Sequence, residues 1–255
     1  MHFRIFLDGE SSLRYIESGT DFSIIDDGIN NPYAVWYVPQ GRKLARLAMM
    51  STDTNMNVIG VRFSDDFDFS AIKSWNSTFA ADTASGNITY VDNIQFNPEC
   101  LDFEMMFRQN TNTIQRITLK QNVTNTTANA NTIVRMFHLC NVNLFNGDLS
   151  WLTVKEGCDT SFWNTGNAFL PRVNSERQIY AIGSISGTIS FQYHIDLSLL
   201  SVLVILNALQ TPTNPQTITF AAATWTKING SSADAQTARD LIAQKQLDGW
   251  TFVSD

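Results

Sequence analysis

Over about the first sixty residues, short apolar runs alternate with polar turns. The runs "FRIFLD", "FSIID", "YAVWYVP", "LARLAMM" and "VIGVRF" are β-branched or aromatic and are separated by Gly, Asn, Pro and Asp. That texture predicts short strands of a small sheet or barrel between Phe3 and about Phe63. The first strand runs from Phe3 to Leu7 and ends in a turn at Asp8-Gly9, and Asp26 and Asp27 of "IIDDGINN" mark a hairpin turn. At the other end of the chain the period changes. "LSLLSVLVILNAL", Leu197 to Leu209, reads as a buried helix, too short to cross a bilayer. In "SSADAQTARDLIAQKQLDGW", Ser231 or Ser232 is the N-cap, Ala235, Ala238, Leu241, Ile242 and Lys245 recur at helical spacing, and Gly249 is the stop. The chain therefore closes as a strand (Thr217 to Phe220), a helix (Ala233 to Gln246) and a strand (Trp250 to Val253).

Between these ends the sequence echoes itself. "DLSWL" at Asp148 to Leu152 returns as "DLSLL" at Asp196 to Leu200 and as "DFSAI" at Asp68 to Ile72. "FEMMFRQ", from Phe103, pairs with "IVRMFHLC", from Ile133, and "QRITLKQ", from Gln115, pairs with "QTITFAA", from Gln216. Internal similarity at intervals of tens of residues predicts stacked units that share a core, each a short strand plus a helix or irregular crossover. Asp and Ser of the Asp-apolar-Ser copies suit turns and helix caps. Met136, Phe137 and Cys140 are expected in the core. An irregular α+β domain with chance echoes is the competing reading.

Composition narrows the function. With 255 residues, 44% of them hydrophobic and 11% aromatic, the chain buries a sizeable core. Charged residues make up 16%, with a net charge of -7, so no basic patch is available to neutralise phosphates, and nucleic acid is not an expected partner. Cys100, Cys140 and Cys158 have no CxxC spacing and are read as buried free thiols. His2, His138 and His194 stand apart, without ligand spacing, and no nucleophile elbow, P-loop or dinucleotide fingerprint occurs. Asp65, Asp66 and Asp68 of "SDDFDF" lack the pattern of a calcium loop and read as a solvated turn. The Asn-x-Ser/Thr triplets at Asn76, Asn87, Asn122, Asn125 and Asn229 also read as solvated turns. Catalytic, cofactor and metal residues are therefore not assigned, and the expectation is a protein that is not an enzyme. Of the six tryptophans, Trp151 and Trp250 are expected in the core, and Trp163, in "DTSFWNTGNAF", is the expected surface contact.

The segment "MFHLCNVNLFNGDLSWLTV" resembles the bacterial surface-antigen (BspA-like) type of leucine-rich repeat. Its units run Met-Phe-x-x-Cys, a Leu-containing spacer, then Leu-Asp-Leu-Ser and an aromatic or leucine. Met136, Phe137, Cys140, Leu144, Asp148, Leu149, Ser150 and Trp151 stand at those places. "SLLSVLVILNALQTPTNPQTITF" followed by "ARDLIAQKQLDGWTFVS" resembles the C-terminal cap attached to such repeats. The likeness covers roughly residues 63 to 255. It implies an α/β fold: a short, irregular leucine-rich-repeat-like solenoid with its cap (63–255), preceded by a small β-rich attachment region (1–62).

The resemblance also carries an expected function. Proteins of this kind occur on bacterial surfaces and in structural or tail-associated phage proteins. "MHFRIFLDGE" lacks an apolar run after a basic start, so it does not read as a secretory signal. The expectation is a non-enzymatic phage virion structural protein of the tail or capsid exterior, assembled in the host cytoplasm. Its partners would be other virion proteins, copies of itself in a homo-oligomer, or a host surface glycan or protein, without membrane insertion. The alternative is an adhesion or glycan-binding module at the bacterial cell surface.

Overall fold

The structure is a computed structural model that describes residues 2–7, 10, 14–16, 24–25, 33–50, 60–80, 89–108, 114, 116–120, 127–140, 145–161, 163 and 169–255. Among these the fold is mixed α/β, with three α-helices and seven small sheets, none closed into a barrel. Asp8, Gly9, Asp26, Asp27, Asn87, Asn122, Asn125 and Leu144 lie outside the described residues.

The N-terminal region holds β1 (His2–Leu7), β2 (Arg14–Ile16), β3 (Ile24–Ile25), β4 (Tyr33–Ala34) and β5 (Leu44–Met50). β2-β1-β5 is an antiparallel sheet and β3 pairs with β4. Ile5 and Leu7, two residues apart, share one face as strand geometry requires. Leu44 and Leu47, three residues apart, are buried too, which simple alternation forbids. The register explains it: Phe6 pairs with Arg46 and Leu7 with Leu44, so Ala45 is an extra residue that resets the facing. These four side chains belong to the same buried cluster as the rest of the chain. Thr78 Oγ1 donates to Leu47 O across 2.8 Å, and the Lys43 ammonium pairs with Asp68 at 3.0 Å.

Next come β6 (Gly60–Arg62), β7 (Tyr90–Ile94) and β8 (Arg116–Leu119), a parallel sheet in which Val91 pairs with Val61 and Ile117. β9 (Ala128–Thr132) pairs in parallel with β11 (Leu152–Asp159), and β10 (Asp148–Leu149) with β14 (Ala181–Ile182). Between the strands the chain turns in one repeated way. A side-chain oxygen of Ser74, Asp102, Thr132 or Asp159 accepts the backbone N–H two residues on, at 3.2, 3.1, 3.4 and 3.0 Å. Ser77, Met105 and Arg135, the next residues in the first three turns, have φ of 53°, 53° and 51°. The turns then stack in register: Ser77 N–H donates to Glu104 O (2.9 Å), Met105 N–H to Val134 O (2.9 Å) and Arg135 N–H to Ser161 O (3.0 Å).

This stacking brings the echoed segments together. Phe79, Phe107, Phe137 and Phe169 form a face-to-face column, with centroids 5.9, 5.5 and 3.8 Å apart and interplanar angles of 9°, 6° and 12°. Met136, Phe137 and Cys140 are buried as expected, in a turn and not in a helix. The three copies of Asp-apolar-Ser divide. Ser70 N–H and Ser150 N–H bond to Asp68 and Asp148 in the same local turn (2.8 and 2.9 Å), whereas Ser198 caps a helix.

The C-terminal part contains the hairpin β12 (Arg172–Val173) and β13 (Glu176–Arg177), then β15 (Ile189–Phe191), α1 (Leu199–Ala208), β16 (Gln216–Phe220), α2 (Ala222–Ile228), α3 (Ala233–Leu247) and β17 (Trp250–Ser254). β15-β16-β17 is an all-parallel sheet. α2 was not anticipated from the sequence; α1, α3 and β17 were. Ser232 caps α3 by accepting Ala235 N–H, Ala235, Ala238 and Ile242 form its buried stripe, and Gly249 (φ +102°) turns the chain back out of it. Trp250 Nε1 donates to Gln210 O (2.8 Å) and Lys245 Nζ to Leu209 O (2.5 Å), which ties this end to the segment after α1. Gly183 and Gly187 are required by close approach: a Cβ there would lie 2.2 and 2.1 Å from Leu152 O and Lys155 O of β11.

Candidate interaction surface

The surface with the most unusual chemistry is built where the β12–β13 hairpin meets the start of α1. Arg172 Nη2 of the hairpin lies 2.5 Å from Asp196 Oδ2, and Arg177 N–H donates to Asp196 O at 2.9 Å. Arg177 itself is largely buried, and Nη1 donates to Leu170 O at 2.7 Å. Burial, and then the neighbouring Arg172 charge, push the Arg177 pKa down, while Asp196 opposes them. Beneath, Ser198 Oγ donates to Gln178 Oε1 (2.8 Å), and Ser201 Oγ accepts Ile179 N–H (2.8 Å). From α2, Lys227 Nζ reaches Glu176 Oε1 (2.7 Å) and Leu197 O (2.9 Å). These bonds fix hairpin, turn and helix start as one unit.

Large apolar side chains stand out from that unit. Val173 is 43% exposed, Tyr180 59%, Tyr193 43%, Ile195 66% and Leu200 61%. They are five of the nine exposed large hydrophobics among the described residues, and all fall within residues 173–200. Val173, Tyr180, Ile195 and Leu200 each directly follow or precede a residue of that network: Arg172, Ile179, Asp196 or Ser201. Exposed apolar groups held on a rigid frame suit a contact with another macromolecule, since burying them is favourable and orders little additional chain.

Trp163, expected at the surface from its place between polar turns, is 1% exposed. Its indole packs against Phe137 (5.9 Å), Phe169 (5.7 Å) and Phe191 (5.5 Å), and Nε1 donates to Ser190 O at 2.7 Å. Stacking supplies the hydrogen-bond partner that local sequence lacks, so the surface role assigned to this residue is withdrawn. Trp151 and Trp250 are in the core.

The remaining chemistry-bearing side chains are dispersed. His194 is buried, and His138 is half-buried with its pKa lowered, first by burial and then by Arg108 and Arg135. Cys100 and Cys140 are buried thiols, and Cys158 is a half-buried one. Burial first pushes the Cys100 and Cys158 pKa values up, that of Cys158 to about 12. Asp68 is held at about 2, first by hydrogen bonds from the Ser70 side chain and backbone, with Lys43 adding to them. Among the described residues no three His, Cys, Asp or Glu side chains are grouped so as to hold a metal ion, and no helix is long and apolar enough to cross a membrane. The sequence reading did not pick out these exposed residues; Leu200 was absorbed into the apolar run Leu197 to Leu209, and Ile195 lies just before it.

Comparison with protein-family models, with curated proteins and with solved structures gives no match to this chain.

Proposed function

We propose that this protein is a non-enzymatic structural protein of a phage particle, on the tail or capsid exterior. In this reading a short, irregular leucine-rich-repeat-like solenoid, its N-terminal strands packed on the first turn, presents an assembly contact to other virion proteins or to copies of itself. The observation that carries the reading is the exposure of Val173, Tyr180, Tyr193, Ile195 and Leu200, all within residues 173–200, where Arg172 and Asp196 pair. The stacked turns at Ser74, Asp102, Thr132 and Asp159 support the solenoid, because they join distant segments in parallel register as repeat units do. The "MFHLC…GDLSW" resemblance supports the phage or bacterial-surface setting.

Light scattering of the purified full chain, with Ile195→Asp and Leu200→Asp variants, tests the assembly reading. A concentration-dependent oligomer that both variants dissociate into monomers, with unchanged circular dichroism, is the expected result. A wild-type monomer at all concentrations that retains binding to cell-surface glycans would replace it with the adhesion-module reading.

A further inference from the structure

His194 is 1% exposed, and neither ring nitrogen has a hydrogen-bond partner. Its ring sits among Phe169 (5.5 Å), Phe191 of β15 (6.3 Å) and Trp163 (6.5 Å). Its backbone carbonyl accepts Thr224 Oγ1 of α2 at 3.4 Å and Leu197 N–H at 3.3 Å. The residue is thus the joint between the aromatic column and the C-terminal helices.

A neutral imidazole tolerates such a box at the expense of unmet hydrogen bonds, but an imidazolium also loses its hydration, and no carboxylate bonds to the ring. The charged group that acts on it is Arg177 of β13, which repels a second positive charge. Asp196 is engaged by Arg172 and Arg177, and the α2 cation Lys227 by Glu176 and Leu197 O.

We propose that His194 makes the joint between the stacked turns and the C-terminal helices acid-labile: its ring stays neutral while boxed, and protonation drives it out and opens the joint. Burial first, and then Arg177, hold its pKa down from the ordinary 6.5 to about 3. The unfolded or opened chain takes up its proton near 6.5. Between these values the opened state binds more protons, so the stability contributed by neutral His194 falls as pH drops below about 6.5 and is lost progressively toward pH 3.

The test uses the full chain and its His194→Phe and His194→Gln variants, unfolded with urea at pH 7.5 and 4.5 and followed by imidazole NMR. Between those pH values the wild-type unfolding constant should rise about a hundredfold more than that of either variant, the gap expected for one proton bound only by the opened state. Acid-sensitive carboxylates affect all three chains alike and cancel in the comparison. Parallel pH slopes would overturn the proposal. So would a His194 ring that titrates near 6 in the folded protein, since the aromatic faces would then be stabilising its cation. Should both variants fail to fold, the wild-type NMR titration decides: a ring that remains neutral until tertiary signals disappear supports the acid-labile joint.

Discussion

Phe107 and Phe137 lie face to face, 5.5 Å between centroids and 6° from parallel. Met105 N–H donates to Val134 O, and Phe107 N–H to Met136 O at 3.0 Å, so two distant segments run as one ladder beneath those rings. The rings are therefore positioned by their backbones as well as by their own contact.

The column should be costly to interrupt. Phe107→Ala removes a fully buried ring that touches Phe79 and Phe137 and should lower stability by about 3–5 kcal/mol. Phe107→Leu, which keeps most of the volume, should lose about half as much. Urea unfolding followed by fluorescence measures both, and equal losses would mean that ring stacking adds nothing to volume.

Left-handed backbone at Arg135 sets two substitutions apart. Its side chain is exposed and its φ is 51°. Both Arg135→Gly and Arg135→Val lose the Arg side chain, but only glycine adopts this φ without a Cβ clash, so the glycine variant should be more stable than the valine variant by about 1–2 kcal/mol. The sign of the difference in thermal midpoint decides whether the turn conformation is strained.

Gly183 offers a test of close approach. Its added methyl would meet Leu152 O at 2.2 Å, whereas Gly157, at φ +76°, faces open space. Gly183→Ala should cost about 2–3 kcal/mol or prevent folding, and Gly157→Ala about 1 kcal/mol. Denaturation midpoints that fall in the reverse order would show that β11 and the segment after β14 are not in contact as described.

The thiols should be inert in the folded protein. Burial raises the Cys158 pKa to about 12 and moves Cys100 in the same direction, so almost no thiolate is present at pH 8. Iodoacetamide should label neither cysteine at pH 8 without denaturant and should label both in urea, as read by mass spectrometry of tryptic peptides. Rapid native labelling of Cys158, the half-buried one, would show that its environment opens readily.

Much of the C-terminal part was legible because its signals are local. Ser232, Ala235, Ala238, Ile242 and Gly249 specify cap, stripe and stop within one helix, and the structure agrees to within a residue. The pairing of "FEMMF" with "IVRMF" was legible as well, since each turn carries the same acceptor, left-handed and aromatic positions. Trp163 was misread because its partners, Phe137, Phe191 and Ser190 O, come from distant segments while "DTSFWNTGNAF" reads as a stretch between polar turns. α2 was missed for a related reason. Its seven residues bury only Thr224 and Ile228, too few to show a period. The exposure of Ile195 and Leu200 could not be anticipated, because they look like core residues until Arg172 and Asp196 fix which way the chain passes.

The turns at Ser74, Asp102, Thr132 and Asp159 align although the stretches between them differ in length. What the Ser74, Asp102 and Thr132 turns hold constant is a short local grammar, an oxygen acceptor, a left-handed residue three positions on and a ring five positions on, while the intervals between turns differ. A lineage built this way can gain or lose residues between turns without disturbing the column.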